Sequence, residues 1–212
     1  MADWLFPEGR ILLFAKAPVA GRVKTRLRGA WGARGACRIH QQLFRRTLDV
    51  VRRSAAAPLD IWCAPGCDHP WIRARAREVD AGLRAQPPGD LGARMAGAFR
   101  ATLRTAPYAI IVGGDCAALT PEHVRSAFQR LHAGDDAVFT PADDGGYVLI
   151  GLRRLDPAVF RTVPWGTDAV MAATRRRLRR LDWRAGELAA VPDVDRPADV
   201  RRLRRAGLLR SW

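Results

Sequence analysis

The chain has 212 residues, 48% of them apolar. That is enough to fill the core of one α/β domain, and it excludes a disordered chain, while the lack of any long uncharged apolar run excludes a membrane-spanning helix. Basic residues outnumber acidic ones 36 to 21, a formal charge of +15, so nucleic acid is the first partner to weigh, because Lys and Arg neutralise phosphates whatever the base sequence. Yet only two of the basic residues, Lys16 and Lys24, are lysines. An arginine excess beside abundant Ala and Gly is what a G+C-rich codon set writes, and such arginines form solvated helix faces. Nucleic acid is therefore not the expected partner, and a basic RNA-binding protein remains the alternative that charge alone supports.

Apolar runs and helical stretches alternate from end to end, with no low-complexity linker and no repeat. The alternation predicts a single domain over 1–212, α/β in class, with a mostly parallel mixed sheet between two helical layers. A first strand is expected over 10–15, then a Gly/Pro-punctuated loop and a helix over 34–54 whose start is blurred by Gly29, Gly32 and Gly35. A strand over 59–63, a short helix over 71–79 and an extended piece over 83–86 follow. Asp90 is placed to cap a helix over 91–103, and 108–112 is the clearest buried strand. Thr120 and Pro121 open another helix as N-cap and first residue. Strands over 137–140 and 147–152 flank a Gly-rich turn, and helices over 167–181 and 197–206 complete the chain. The four cysteines, at 37, 63, 67 and 116, and an amino terminus without a basic or long apolar leader predict a reduced, cytoplasmic chain.

In an open parallel sheet, ligands bind outside the carboxyl ends of the strands. The loop after the first strand, Lys16 to Arg26, holds flexible Gly21, the cations Arg22 and Arg26, and both lysines of the chain. Free backbone N–H groups and compact positive charge are what a nucleotide phosphate needs. The loop is not a P-loop, since Val23 and Pro18 occupy the positions where that motif requires glycine. At the end of the clearest strand, Gly113-Gly114-Asp115 sets a carboxylate where it can ligate Mg²⁺ or Mn²⁺ or cap the next helix. Asp143-Asp144-Gly145-Gly146 reads as a hairpin-like turn with carboxylates at the same edge. In Asp193-Val194-Asp195 either aspartate can cap the following helix or serve as a second metal ligand. Cys63, Cys67 and His69 lack the ligand number and spacing of structural zinc. The arginines of 175–180 alternate with Leu178 and Leu181 as a solvated amphipathic face does.

Six segments, in order, resemble a known family. They are Phe14 to Leu27 (FAKAPVAGRVKTRL), Gly89 to Met95 (GDLGARM), Gly114 to Thr120 (GDCAALT), Pro141 to Gly151 (PADDGGYVLIG), Trp165 to Thr167 (WGT) and Asp193 to Asp199 (DVDRPAD). They are similar to segments of the small bacterial radical-SAM/selenodomain-associated transferase 1 proteins, arsenosugar-biosynthesis-type glycosyltransferases with a nucleotide-diphospho-sugar transferase (GT-A-like) fold. Ala117 stands where that family usually has Pro, and Arg196 where it has Thr. The first is expected to loosen the turn presenting Asp115, the second to set a cation beside a metal.

The resemblance implies a metal-dependent glycosyltransferase with a nucleotide-sugar donor and a small-molecule acceptor. The same architecture also serves nucleotidyltransferases, which join an NTP to a phosphorylated acceptor and release pyrophosphate. By the same resemblance, Asp115 and Asp195 hold Mg²⁺ or Mn²⁺. Lys16, Gly21, Lys24, Thr25, Arg26 and Arg94 bind the nucleotide and its phosphates. Asp144, Gly145, Gly146, Trp165 and Thr167 face the sugar or acceptor, and Lys24, Asp115 and Asp144 carry catalysis.

Overall fold

A computed structural model of the chain describes residues 3–210. Among them, β1 (Arg10–Lys16), β2 (Leu59–Ala64), β3 (Gly82–Ala85), β4 (Ala109–Gly113), β5 (Ala137–Pro141), β6 (Tyr147–Leu152) and β7 (Ala185–Glu187) form one sheet. Its strand order is β3-β2-β1-β4-β6-β5-β7. Only β6 runs against its neighbours, so the carboxyl ends of the other six strands and the amino end of β6 share one edge.

Among the described residues six α-helices cover the sheet: α1 (Arg28–Ser54), α2 (Pro70–Glu78), α3 (Leu91–Thr102), α4 (Pro121–His132), α5 (Val170–Arg180) and α6 (Pro197–Arg205). Because strand side chains alternate between faces, Ile11, Leu13, Ile110 and Val112 pack against Phe44, Ile72 and Phe128 of α1, α2 and α4. Leu12, Ile111 and Ile150 point the other way, onto Met95 and Phe99 of α3 and Leu178 of α5. The expected three layers are present. Phe44, Phe99, Phe128 and Phe139 are fully buried, and each such side chain contributes roughly 1.5–3 kcal/mol. A third cluster joins Ile39 and Leu43 of α1 to Val194, Val200 and Leu203, which fixes the Asp193–Asp195 segment against α1.

The expected elements occur with shifted ends. Helix α1 begins at Arg28, earlier than the expected 34, because the chain is already helical before a break at Gly32 (φ 62°, ψ 177°) and resumes beyond it. Helix α5 begins at Val170, not at 167. Asp90 caps α3 and Thr120 caps α4, each accepting a backbone N–H of the first turn, as expected. Neither Asp193 nor Asp195 caps α6. Arg196 holds that position, and Asp199 accepts the N–H groups of both Asp195 and Arg196. Strand β7 was not expected, being a three-residue Ala-Gly-Glu piece that carries no β signature and is recruited by pairing with β5. The α5 arginines 175, 176, 179 and 180 are exposed, as a solvated face requires. No helix among the described residues is long and apolar enough to cross a membrane.

Candidate functional site

A cleft of about 390 Å³ opens at the shared edge. Of the residues singled out from sequence, Lys16, Arg94 and Asp115 border it on the side of β1, α3 and β4, and Asp144, Gly146, Trp165 and Thr167 border it on the β5–β6 side. Lys24 and Asp195 join the cleft through Asp115. Gly21, Thr25, Arg26 and Gly145 do not border it.

Lys24 is the centre of the cluster. Its Nζ lies 2.6 Å from Asp115 Oδ2 and 3.1 Å from Asp195 Oδ1, and it donates to the Val194 carbonyl at 2.8 Å. The side chain is only 7% exposed. Burial alone would lower its pKa, but Asp115, Asp195 and Asp193 outweigh that and hold the ammonium charged well above the usual lysine range. Packing would likewise raise the Asp115 carboxyl, and the Lys24 ammonium holds it below the usual carboxylate value. Asp193, which borders the cleft, is pushed up to about 6 by burial. Arg26 pairs with the second face of Asp195, Nη1 to Oδ2 at 2.6 Å.

Helix α1 holds the two loops that present these groups. The Cys37 Sγ–H donates to the Pro18 carbonyl, and His40 Nε2 lies 2.9 Å from the Lys16 carbonyl, which makes that nitrogen the protonated one. Thr47 Oγ1 shares its one proton between the Leu43 and Cys116 carbonyls, at 3.1 and 3.2 Å, and Arg46 Nε donates to the Ala117 carbonyl at 2.6 Å. The turn after Asp115 is therefore clamped from α1, and Ala117 does not leave it loose. Gly114 has a packing role here: a Cβ would lie 2.5 Å from the Phe14 carbonyl oxygen and 2.9 Å from the Phe44 ring. Arg196 is exposed at the start of α6.

On the other side, the β5–β6 turn is the hairpin its sequence indicates, with β5 and β6 antiparallel. Asp144 Oδ1 accepts the Gly146 N–H at 2.9 Å, which fixes the carboxylate and leaves its other oxygen toward solvent. Gly145 has φ +85°, and a Cβ there would lie 2.1 Å from the Asp168 carbonyl oxygen. Its role is to seat the turn against the approach to α5. Thr167 Oγ1 donates to Pro164 and accepts from Ala169, so the hydroxyl is spent on its own turn. Tyr147 and Trp165 meet edge-on with centroids 6.3 Å apart.

His40, Gln86 and Tyr147 also border the cleft and were not singled out. Gln86 directly follows β3, so the strand-end rule that found Asp115 would have found it. His40 carried no signal, since a helical histidine on an apolar face reads as core. His69 is the N-cap of α2, accepting Trp71 N–H through Nδ1, and all four cysteines are free. Among the described residues no group of three or more His, Cys, Asp or Glu is arranged to hold a metal. The Asp115 and Asp195 oxygens do converge on one point, the Lys24 ammonium. Two hard carboxylates fit Mg²⁺ or Mn²⁺ only together with phosphate oxygens or water to complete the shell.

The sheet order, the antiparallel β6 and a cleft at the carboxyl edge define the fold as that of nucleotide-diphospho-sugar transferases and nucleotidyltransferases. A family model described as "Uncharacterized protein conserved in bacteria (DUF2064)" matches residues 47–167, and the chain belongs to that family. The chain is similar to the crystal structure of a protein from Desulfovibrio desulfuricans G20 provisionally assigned as a nucleotide-diphospho-sugar transferase, with 31% identity, TM-score 0.84 and coverage of 95% of this chain and 88% of that one. The fold is also shared with 4-diphosphocytidyl-2C-methyl-D-erythritol synthase from Anaerococcus prevotii, at 13% identity and TM-score 0.63 over 95% and 97% of the two chains. Glucosyl-3-phosphoglycerate synthase from Mycobacterium tuberculosis, in complex with Mn²⁺, UDP and glucosyl-3-phosphoglycerate, is similar at 12% identity and TM-score 0.54 over 96% and 81%. No protein with a curated description matches the sequence.

Proposed function

We propose that the chain is a glycosyltransferase that moves a sugar from a nucleotide-sugar donor to a small-molecule acceptor. The observation that supports this reading is one cleft that combines Asp115, held against Lys24 and Asp195, with Asp144 and Trp165 on the β5–β6 side. Lys16 neutralises the donor phosphates from the cleft edge, Lys24 and Arg26 act behind it by holding Asp115 and Asp195 in place, and Gly21 and Thr25 shape the loop. Arg94 reaches the nucleoside or acceptor side. Asp115 and Asp195 would hold Mg²⁺ or Mn²⁺, which when bound supplies positive charge to the leaving diphosphate.

Asp144, oriented by the Gly146 N–H, takes the proton of the acceptor hydroxyl as its oxygen attacks the sugar. The electron pair of the broken bond passes to the phosphate oxygen, where Lys16 stabilises it. Gly145, Gly146, Trp165 and Thr167 shape the sugar and acceptor end.

Lys16 at the cleft edge would equally serve a phosphorus under attack, which supports nucleotidyl transfer as a second reading. Products separate the two. With Mn²⁺ or Mg²⁺ present, a nucleotide sugar is expected to raise the melting temperature and to be turned over with release of a nucleoside diphosphate. Pyrophosphate released from an NTP would move the assignment to nucleotidyl transfer. If no nucleotide shifts the melting temperature with metal present, both readings fail.

A further inference from the structure

Beyond its polar edge the cleft reaches the face of the sheet that α3 and α5 cover, and its chemistry changes there. Ile111 of β4, Ile150 of β6, Met95 of α3 and Val170 of α5 all border the cleft, although none is more than 5% exposed. At its mouth, Leu91 in the first turn of α3 is 46% exposed, a large apolar side chain turned outward beside an otherwise polar edge. The Tyr147 hydroxyl and Trp165 Nε1 are buried without a partner, so the surface these two rings offer the cleft is not their polar ends. Thr167 is already occupied by its own turn. The bay is thus apolar in depth, with polar groups at its rim.

We propose that this bay receives the apolar body of the acceptor, an aromatic or branched aliphatic group joined to the hydroxyl that reacts at Asp144. The inference rests on the transferase reading above. A polyol sunk into the bay would bury hydroxyls with nothing to pair them. A nucleobase has the same difficulty along its polar edges and finds a better place at the β2–β3 end. There the Gln86 amide is pinned by Nε2 donation to Trp62 and Ala15 carbonyls (2.8 and 3.4 Å), with its carbonyl oxygen left for a base N–H.

The test uses the full chain with ¹³C-labelled Ile and Met methyl groups, titrated with indole, with 3-methylbutan-1-ol and with sorbitol. Indole and the alcohol are expected to shift the methyl signals of Met95, Ile111 and Ile150 saturably, and sorbitol to leave them in place. Leu91→Glu, at an exposed position that the fold tolerates, and Val170→Phe, which fills the bay, should each weaken indole binding about tenfold. Saturating UDP-glucose with Mn²⁺ should leave indole binding intact, and Lys24→Ala should abolish nucleotide binding while retaining the indole shifts. No shift at these methyls, a response to sorbitol alone, or mutual exclusion of indole and nucleotide overturns the inference. Nucleotide binding without indole binding overturns it and leaves the transferase reading standing. Indole binding without any nucleotide binding overturns the transferase reading and the assignment of the occupant as acceptor with it.

Discussion

Arg46 Nε donates to the carbonyl oxygen of Ala117 at 2.6 Å, joining the middle of α1 to the turn that presents Asp115. With Thr47 bonded to the neighbouring Cys116 carbonyl, it replaces by tertiary contact the stiffness that proline would have given the turn by restricting φ. Arg46→Ala is expected to cost about 1.5–3 kcal/mol in urea unfolding, the range for a hydrogen bond involving a charged group. It should also weaken nucleotide binding, because Asp115 loses its fixed position. Unchanged nucleotide affinity in a folded Arg46→Ala chain would show that the turn holds itself.

Lys24 explains why a chain so rich in arginine keeps a lysine here. Its ammonium is a point charge enclosed by two carboxylates and a carbonyl, with 7% of the side chain exposed, and a planar guanidinium does not fit that enclosure. Lys24→Arg should therefore behave like Lys24→Met, losing about 1–3 kcal/mol of stability, less than a fully buried pair because both carboxylates are partly exposed. Nucleotide binding should fall with it. Lys16 is exposed, and Lys16→Arg should stay within about 0.5 kcal/mol of the parent. Full binding in Lys24→Arg would mean that the enclosure adapts.

The alternation of apolar runs made the layers and most of the strands legible, because burial on both faces leaves that pattern directly in the sequence. The strand-end rule located Asp115 and Asp144. What it did not reveal was pairing: nothing local shows that Lys24 meets Asp195 or that α1 reaches the Cys116–Ala117 carbonyls, since these contacts arise only when distant segments pack. Asp193 and Asp195 read equally well as caps from sequence, whereas in the fold Arg196 holds that position and Asp199 supplies the acceptor. Tyr147 reads from sequence only as the start of a strand, because its bearing on the cleft depends on Trp165 arriving from another loop.

Asp144→Asn preserves the side-chain oxygen that accepts the Gly146 N–H but removes the ability to take a proton. Turnover should fall by about 10²–10⁴, the usual contribution of a positioned base, with nucleotide affinity unchanged. The comparison of kcat with the Kd for donor checks it. A loss confined to binding would move Asp144 from proton transfer to substrate positioning.

Gly145→Ala brings two penalties together, a Cβ at φ +85° and a contact 2.1 Å from the Asp168 carbonyl oxygen. Left-handed backbone at a non-glycine residue costs about 1–3 kcal/mol, and the clash adds to it by pushing the turn away from the start of α5. Thermal unfolding should show the loss. The Trp165 indole fluorescence should change with it if the turn and the loop before α5 move as one.

Thiol chemistry offers a check on the strand-end geometry that does not depend on activity. Burial pushes the Cys63 and Cys116 thiols up to about 12 and raises Cys37, whereas Cys67 is half-buried on the loop after β2. Alkylation requires the thiolate, so at about pH 8 iodoacetamide should modify Cys67 alone in the folded chain and all four cysteines in urea. Raising the pH toward about 10 should still leave Cys63 and Cys116 unmodified, because they are below their own ionisation range and enclosed by packing. Peptide mass spectrometry reads the result. Modification of Cys116 in the folded chain at about pH 8 would show that the turn after Asp115 opens on the timescale of labelling, and the clamp from Arg46 and Thr47 would then be weaker than its distances imply.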